Sequence, residues 1–380
     1  MKIAHVIAGL HNPAAGTSYT VLQLADALAQ HGVAGQVHTL QSVPEHLSAR
    51  PDIVGYPAVR IIRRLGISPA MRCGLASTAG DLLHNHGVWM MPNIYAGMVA
   101  RGRGAPLVFA PRGMFSERAM AFSRGRKRFV WWCLGQRRAV GATACFHATS
   151  ETEGRDIRRL GFRQPIAVVP NGISLPDVGN EARSASRSER RNVLFLGRIH
   201  PIKGIPVLLR AWQRVEHRYP DWELVVAGPD EGGHLKEVQA LASALDLTRV
   251  SFPGPVFAKA KNALYRSADL FVLPTHSESF GMAIAEALSY SLPVITTTGA
   301  PWQELETRDC GWWIDLSEAN LAEALRTAMD LPEDRRTQMG RRGRLWMEES
   351  YGWFQIGEEM KGVYEWVLGA GSPPSCIITD

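Results

Sequence analysis

The chain has 380 residues, 46% of them hydrophobic and 21% charged, a composition that fits two to three globular domains and excludes a disordered, fibrous or disulfide-stapled scaffold. Its net charge of +6 is unevenly spread: residues 1–180 hold 20 Lys and Arg against 9 Asp and Glu, or +11, and the remaining 200 hold 22 against 27, or −5. No apolar run approaches about 18 residues, the opening one is too short for a secretory leader, and the five scattered cysteines form no CxxC pair, so a cytoplasmic chain with reduced thiols is expected.

Residues 2–8 (KIAHVIA) read as a buried strand, and residues 9–19, with Pro13 and Gly16, as a loop. The segment 20–30 (TVLQLADALAQ) sets Val21, Leu24, Ala25 and Leu28 at helical spacing, and His31-Gly32 ends that helix before an extended stretch at 36–40. The alternation continues through strands at 81–84, 107–110, 144–148 and 166–169, which predicts a parallel, doubly wound sheet. From Arg101 to Arg138 ten basic residues stand against one acid, Glu117, with Phe129, Trp131 and Trp132 among them. Such a strip suits a membrane surface, a phosphorylated substrate or nucleic acid; its plainer reading is a solvated helix face.

Residues 174–191 (SLPDVGNEARSASRSERR) have few apolar positions and read as a linker. The pattern then restarts, with strands at 192–196, 223–227, 250–252, 270–273 and 293–296 and helices at 206–217, 236–245 and 281–290. Two Rossmann-like domains in tandem follow. A helix at 353–368 is placed to pack back across the boundary, and the tail from Ser372 is expected to fray.

Ligands of open α/β sheets bind beyond the carboxyl ends of the strands, where helix N-termini favour phosphate. Strand 192–196 runs into Gly197-Arg198-Ile199-His200-Pro201-Ile202-Lys203-Gly204, which puts two cations on one loop, as a diphosphate requires, although two exposed basic residues would also fit. The strongest signal is Pro274-Thr275-His276-Ser277-Glu278-Ser279-Phe280-Gly281-Met282-Ala283-Ile284-Ala285-Glu286. There a strand ends, a loop carries Glu278, and a helix opens at Gly281 with the amides of Met282 and Ala283 free of intrahelical partners. Glu286 lies in that helix. Two carboxylates beside an anion seat are best used as acceptors for sugar hydroxyls, Glu278 on the hexose side and Glu286 on a ribose diol.

These residues carry a resemblance. The second half resembles the donor-binding domain of retaining GT-B glycosyltransferases of glycosyltransferase family 4, through Gly197-Arg198 with Lys203-Gly204, Glu278 and Glu286 with seven residues between them, Phe280-Gly281, Pro293-Val294 and Glu304. The first half adds Ala14-Ala15-Gly16-Thr17, His84-Asn85-His86-Gly87 and Pro170-Asn171-Gly172-Ile173. Departures are Ala15-Gly16 in place of two glycines and Ser174 where many members have an acid; both bear on the acceptor more than on the reaction.

The resemblance implies an α/β GT-B fold: an acceptor-binding domain at 1–173, the linker 174–191, a nucleotide-sugar domain at 192–352 facing it across a cleft, and a C-terminal helix and tail at 353–380 returning to the first domain. It implies transfer of a sugar, with retention, from a UDP- or GDP-sugar to a glycan or lipid-linked acceptor of bacterial surface polysaccharide synthesis. Arg198, Lys203, Glu278 and His86 would act at the reacting centre. Gly16, Gly197, Phe280, Gly281, Met282, Ala283, Glu286 and Val256 would bind the donor, and His11 and Arg112 the acceptor. An oxocarbenium-like transition state sheds charge onto the diphosphate, so fixed cations and helix amides stabilise it more than the ground state. No cofactor or metal is required, and no Asp-x-Asp signature is present. The basic strip adds peripheral contact with an anionic inner membrane face, and nucleic acid lacks any recognisable module. The alternatives are a sugar-nucleotide 2-epimerase of the same architecture and a non-catalytic sugar-nucleotide binding protein.

Overall fold

The computed structural model describes residues 1–10, 16–40, 47, 50–59, 65–121, 124–177 and 190–379. The chain divides into two units, Met1–Gly172 with Trp353–Asp380, and Ile173–Gly352. Most of the expected linker, residues 178–189, lies outside the described residues.

In the first unit the strands are β1 (Lys2–Ile7), β2 (Ala34–Leu40), β3 (Ile53–Tyr56), β4 (Leu82–His86), β5 (Leu107–Ala110), β6 (Cys145–Ala148) and β7 (Ile166–Val168). Among the described residues they form one sheet, completed by β14 (Ile377–Ile378), in the order β14-β7-β6-β5-β4-β1-β2-β3. The pairs from β7 to β3 are parallel. β4, β5 and β6 are buried at every position, as parallel strands covered on both faces must be. On one face, Leu24 and Leu28 of the helix Gly16–Gln30 pack with Ile356, Met360, Val363 and Tyr364 of the helix Trp353–Val367.

Two expectations for this unit need correction. The loop after β1 is shorter than its composition suggests: the helix opens at Gly16 rather than Thr20, with the buried Ser18 hydroxyl donating to Gly9 O at 3.2 Å. The tail does not fray. β14 (Ile377–Ile378) pairs antiparallel with β7, and Val168 N–H donates to Cys376 O at 2.9 Å, because β7 otherwise ends the sheet with an open row of backbone donors and acceptors.

The second unit is built on β8 (Arg191–Leu196), β9 (Trp222–Ala227), β10 (Val250–Gly254), β11 (Leu270–Leu273), β12 (Val294–Thr297) and β13 (Gly311–Ile314), all parallel, in the order β10-β9-β8-β11-β12-β13. Trp212, Trp222, Trp302 and Tyr265 are fully buried in the core of this unit. The long helix expected at 206–217 is two pieces, an α-helix Ile205–Gln213 and a 3-10 turn Glu216–Arg218. The edge strands β3 and β13 went unread in the sequence; each is only partly buried and carries a glycine, so neither shows the continuous apolar run that marks β5 and β11. All five cysteines are free thiols, and among the described residues no helix is long and apolar enough to cross a membrane.

Candidate functional site

The loops that leave β8, β9 and β11 come together at the carboxyl edge of the second sheet. After β8 the His200 Nδ1 accepts from Ile202 N–H at 3.1 Å, which bends the chain into the 3-10 turn Pro201–Lys203. Gly204 then sits at φ 68°, where an added Cβ would overlap Pro274 O, so only glycine lets this loop approach the end of β11. His276 N–H donates to Ile202 O at 2.8 Å, and Glu278 N–H to Gly299 O at 2.8 Å. This scaffold presents Lys203, itself buried, to Glu278, and the two side chains form an ion pair. Arg198, from the same loop, pairs instead with Glu231 of the loop after β9, and this second pair is exposed.

The helix Met282–Ser289 begins next to that pair. Gly281 precedes it at φ 90°, and Gly281 O is the first acceptor inside the helix, taking Ile284 N–H at 2.9 Å. The amides of Met282 and Ala283 therefore have no intrahelical partner, the arrangement expected of an anion seat. Phe280, just before Gly281, turns its side chain inward. The ring is buried against Trp302 and Tyr351, with centroids 5.2 Å and 5.8 Å away, and Trp302 Nε1 donates to Phe280 O. Gly197 follows β8 and half-buried Val256 lies beyond β10, packed against the core of the unit.

Glu286, one turn into the helix, has two partners that sequence reading missed. Lys261 Nζ meets its Oε1 at 2.5 Å and Tyr265 Oη donates to its Oε2 at 2.8 Å. Both come from the helix Ala258–Ser267, four residues apart and so on one face. That spacing was the available signal, but nothing local identifies Glu286 as what the face meets.

At the carboxyl end of the first sheet a buried polar network surrounds His86. Arg112 Nη1 donates to Asn171 Oδ1 at 2.7 Å and Nη2 to His86 Nδ1 at 3.0 Å. Because a guanidinium only donates, His86 Nδ1 is the acceptor, and its Nε2 carries the proton given to His5 Nδ1 at 3.1 Å. By the same logic His147 Nε2–H donates to Val169 O at 2.9 Å, His84 Nε2–H to His147 Nδ1 at 3.2 Å, and Tyr364 Oη to His84 Nδ1 at 2.6 Å. All four imidazoles are then neutral, and burial, reinforced by neighbouring positive charge, depresses them, His5 and His147 to about 3.

Nitrogens of His5, His84 and His86 lie within 4.8 Å of one another, a grouping with metal-binding potential, but the lone pairs named here are already accepting protein hydrogen bonds. Both ring nitrogens of His86 are engaged, by Arg112 and by His5, where a direct contact with sugar or acceptor was expected. Arg112 is itself distinctive. Its backbone is left-handed at φ 56°, its Nε is buried without a hydrogen-bond partner, and burial lowers its pKa to about 10 against the opposing charge of Glu153.

The basic stretch 101–138 is not one face. Arg112 points inward, and Val130 and Trp131 pack into the core, while Phe129 and Trp132, at 50% and 62% exposure, stand out with Arg137 lying 5.2 Å over the Trp132 ring. Gly16 opens its helix, and His11 lies outside the described residues.

Two family models match this chain: the glycosyltransferase family 4 model over residues 14–176 and the glycosyl transferases group 1 model over residues 180–346. The chain is 28% identical to a D-inositol 3-phosphate glycosyltransferase of Kineococcus radiotolerans, over 92% of this chain and 90% of the relative. It is 26% identical to a GDP-mannose:cellobiosyl-diphosphopolyprenol alpha-mannosyltransferase of Xanthomonas campestris, over 81% of each. Among solved structures, Anabaena HepE in complex with UDP and glucose superposes with a TM-score of 0.78 at 18% identity, covering 96% of this chain and 99% of that one. Two parallel-sheet units, the paired glutamates at a helix start, and family models that between them take in both halves place this chain in glycosyltransferase family 4, with the GT-B fold.

Proposed function

We propose that this glycosyltransferase moves a sugar, with retention at the anomeric carbon, from a UDP- or GDP-sugar to a phosphate-bearing glycan or lipid-linked acceptor used in bacterial surface polysaccharide synthesis. The observation that carries the donor half is the start of the helix Met282–Ser289, where unpartnered amides, the Lys203–Glu278 pair and the Lys261–Glu286 pair converge. The amides, with Lys203 and Arg198, hold the departing diphosphate; Glu278 accepts from the sugar and Glu286 from the ribose. When the donor arrives, the diphosphate competes with Glu278 and Glu231 for the two cations, so the carboxylates are released toward hydroxyl groups as the cations turn to phosphate. These groups neutralise the leaving group, and turnover is proposed to persist in EDTA.

For the acceptor, the half-buried Arg112, which forms no ion pair among the described residues, favours an anion, and the two relatives named above take phosphate-bearing acceptors. His86 serves as a positioning residue for it. The exposed pair Phe129 and Trp132 beside Arg128, Arg137 and Arg138 supports peripheral attachment to an anionic membrane surface. The family relationship favours transfer over epimerisation or mere binding. A thermal-shift panel of nucleoside diphosphates and their sugars tests the donor, since a ligand at 100 times its Kd stabilises by about 2.7 kcal/mol. NMR of the product's anomeric configuration tests retention, and an inverted product overturns that part.

A further inference from the structure

The surroundings of Glu286 extend the donor reading, on which this inference rests. The helix Ala258–Ser267 places Lys261 and Tyr265 one turn apart, and each grips a different oxygen of one carboxylate. Tyr265 is fully buried, stacks on Tyr290 with ring centroids 5.0 Å apart, and cannot swing away. Burial and the adjacent Glu286 charge hold its phenol well above the ordinary tyrosine value, so it remains a donor at any working pH. A carboxylate offers about four acceptor sites, two on each oxygen. With one site per oxygen taken from the side of this helix, one remains on each, a matched pair of acceptors in a fixed plane. A vicinal diol presents two donors to match them.

We propose that Lys261 and Tyr265 are positioning residues that orient Glu286 as a two-point acceptor for the ribose 2′- and 3′-hydroxyls of the donor nucleotide, so that the enzyme's preference for ribose over deoxyribose depends on them.

Calorimetric titration of the full chain with UDP, GDP and their 2′-deoxy forms tests this. The wild-type chain should bind one ribonucleotide more tightly than its deoxy form. Tyr265→Phe and Lys261→Met should each weaken the ribonucleotide roughly tenfold, the scale of a lost charge-assisted hydrogen bond, and leave the deoxy form within about twofold, so that the ratio collapses. Lys261→Arg should restore it. Lys261 is partly exposed, so its variants remain informative if Tyr265→Phe folds poorly. Variants that keep the wild-type ratio, or lose both nucleotides equally, overturn the assignment, and so does a wild-type chain that binds both sugars alike. A wild-type chain that binds neither nucleotide removes the donor reading as well.

Discussion

Lys203 and Glu278, 75 residues apart in the chain, close on each other as an ion pair with side chains only 11% and 14% exposed. A pair so withdrawn has stability and function superimposed on it. Removing either partner strands the other in a poorly solvated place, which costs about 1–3 kcal/mol.

Lys203→Ala is therefore expected to lower the melting temperature as well as cut turnover by about 100-fold or more, the scale seen when one stabilising donor is lost from a reacting centre. Lys203→Met combined with Glu278→Gln should recover much of the stability and none of the turnover. Calorimetry beside a sugar-transfer assay separates the two effects; a double variant that turns over like the parent contradicts the site.

Gly281→Ala should weaken nucleotide binding and cost about 1–3 kcal/mol of stability, because an L-residue is strained at its φ of 90° and the new Cβ would lie 3.1 Å from Ile284 Cδ1 and 3.3 Å from Trp302 Nε1. Denaturant midpoints and titration with UDP and GDP measure both. An alanine variant with parental affinity would show that the helix start does not seat the nucleotide.

The histidine network makes stability depend on pH in a definite direction. His5 and His147 are held near pKa 3 in the folded chain against 6.5 for an ordinary imidazole, so between those values the unfolded chain binds protons that the folded one refuses. Their contribution is complete above about pH 6.5 and is lost progressively as pH falls toward 3, by about 2 kcal/mol per histidine at pH 5. Urea midpoints between pH 7.5 and 4.5 should fall accordingly, and His5→Gln should flatten the slope; a midpoint unchanged across this range would contradict the neutral tautomers.

Phe129→Ser with Trp132→Ser removes two exposed aromatic rings and should leave the melting temperature within about 1 °C, as surface changes usually do. Flotation with anionic vesicles should drop severalfold. Parental flotation by the double variant, or equal binding of the parent to neutral vesicles, rules out this surface as the attachment point.

Truncation after Pro374 strips β14 from β7. The first unit should then unfold at a lower temperature and expose the β7 edge, seen as aggregation at concentrations where the full chain stays monodisperse. Unchanged melting would mean that this pairing adds nothing.

The alternation of the central strands with helices, and the loop and helix start that carry Glu278 and Glu286, were legible in the sequence because they are written locally: a buried strand, a turn glycine and a helical repeat lie within about a dozen residues. What those groups touch depends on segments far apart in the chain. Lys261 and Tyr265 reach Glu286 from another helix, and His86 meets His5 from a neighbouring strand and Arg112 from the turn after β5, with Tyr364 brought to His84 by the C-terminal helix. On strands buried on both faces, hydrophobic alternation no longer says which way a side chain points, so a His-x-His pattern is visible while its partners are not. The edge pairing of β14 was hidden for a related reason: two residues carry no periodicity, and their conformation is dictated by the open backbone of β7 rather than by their own composition.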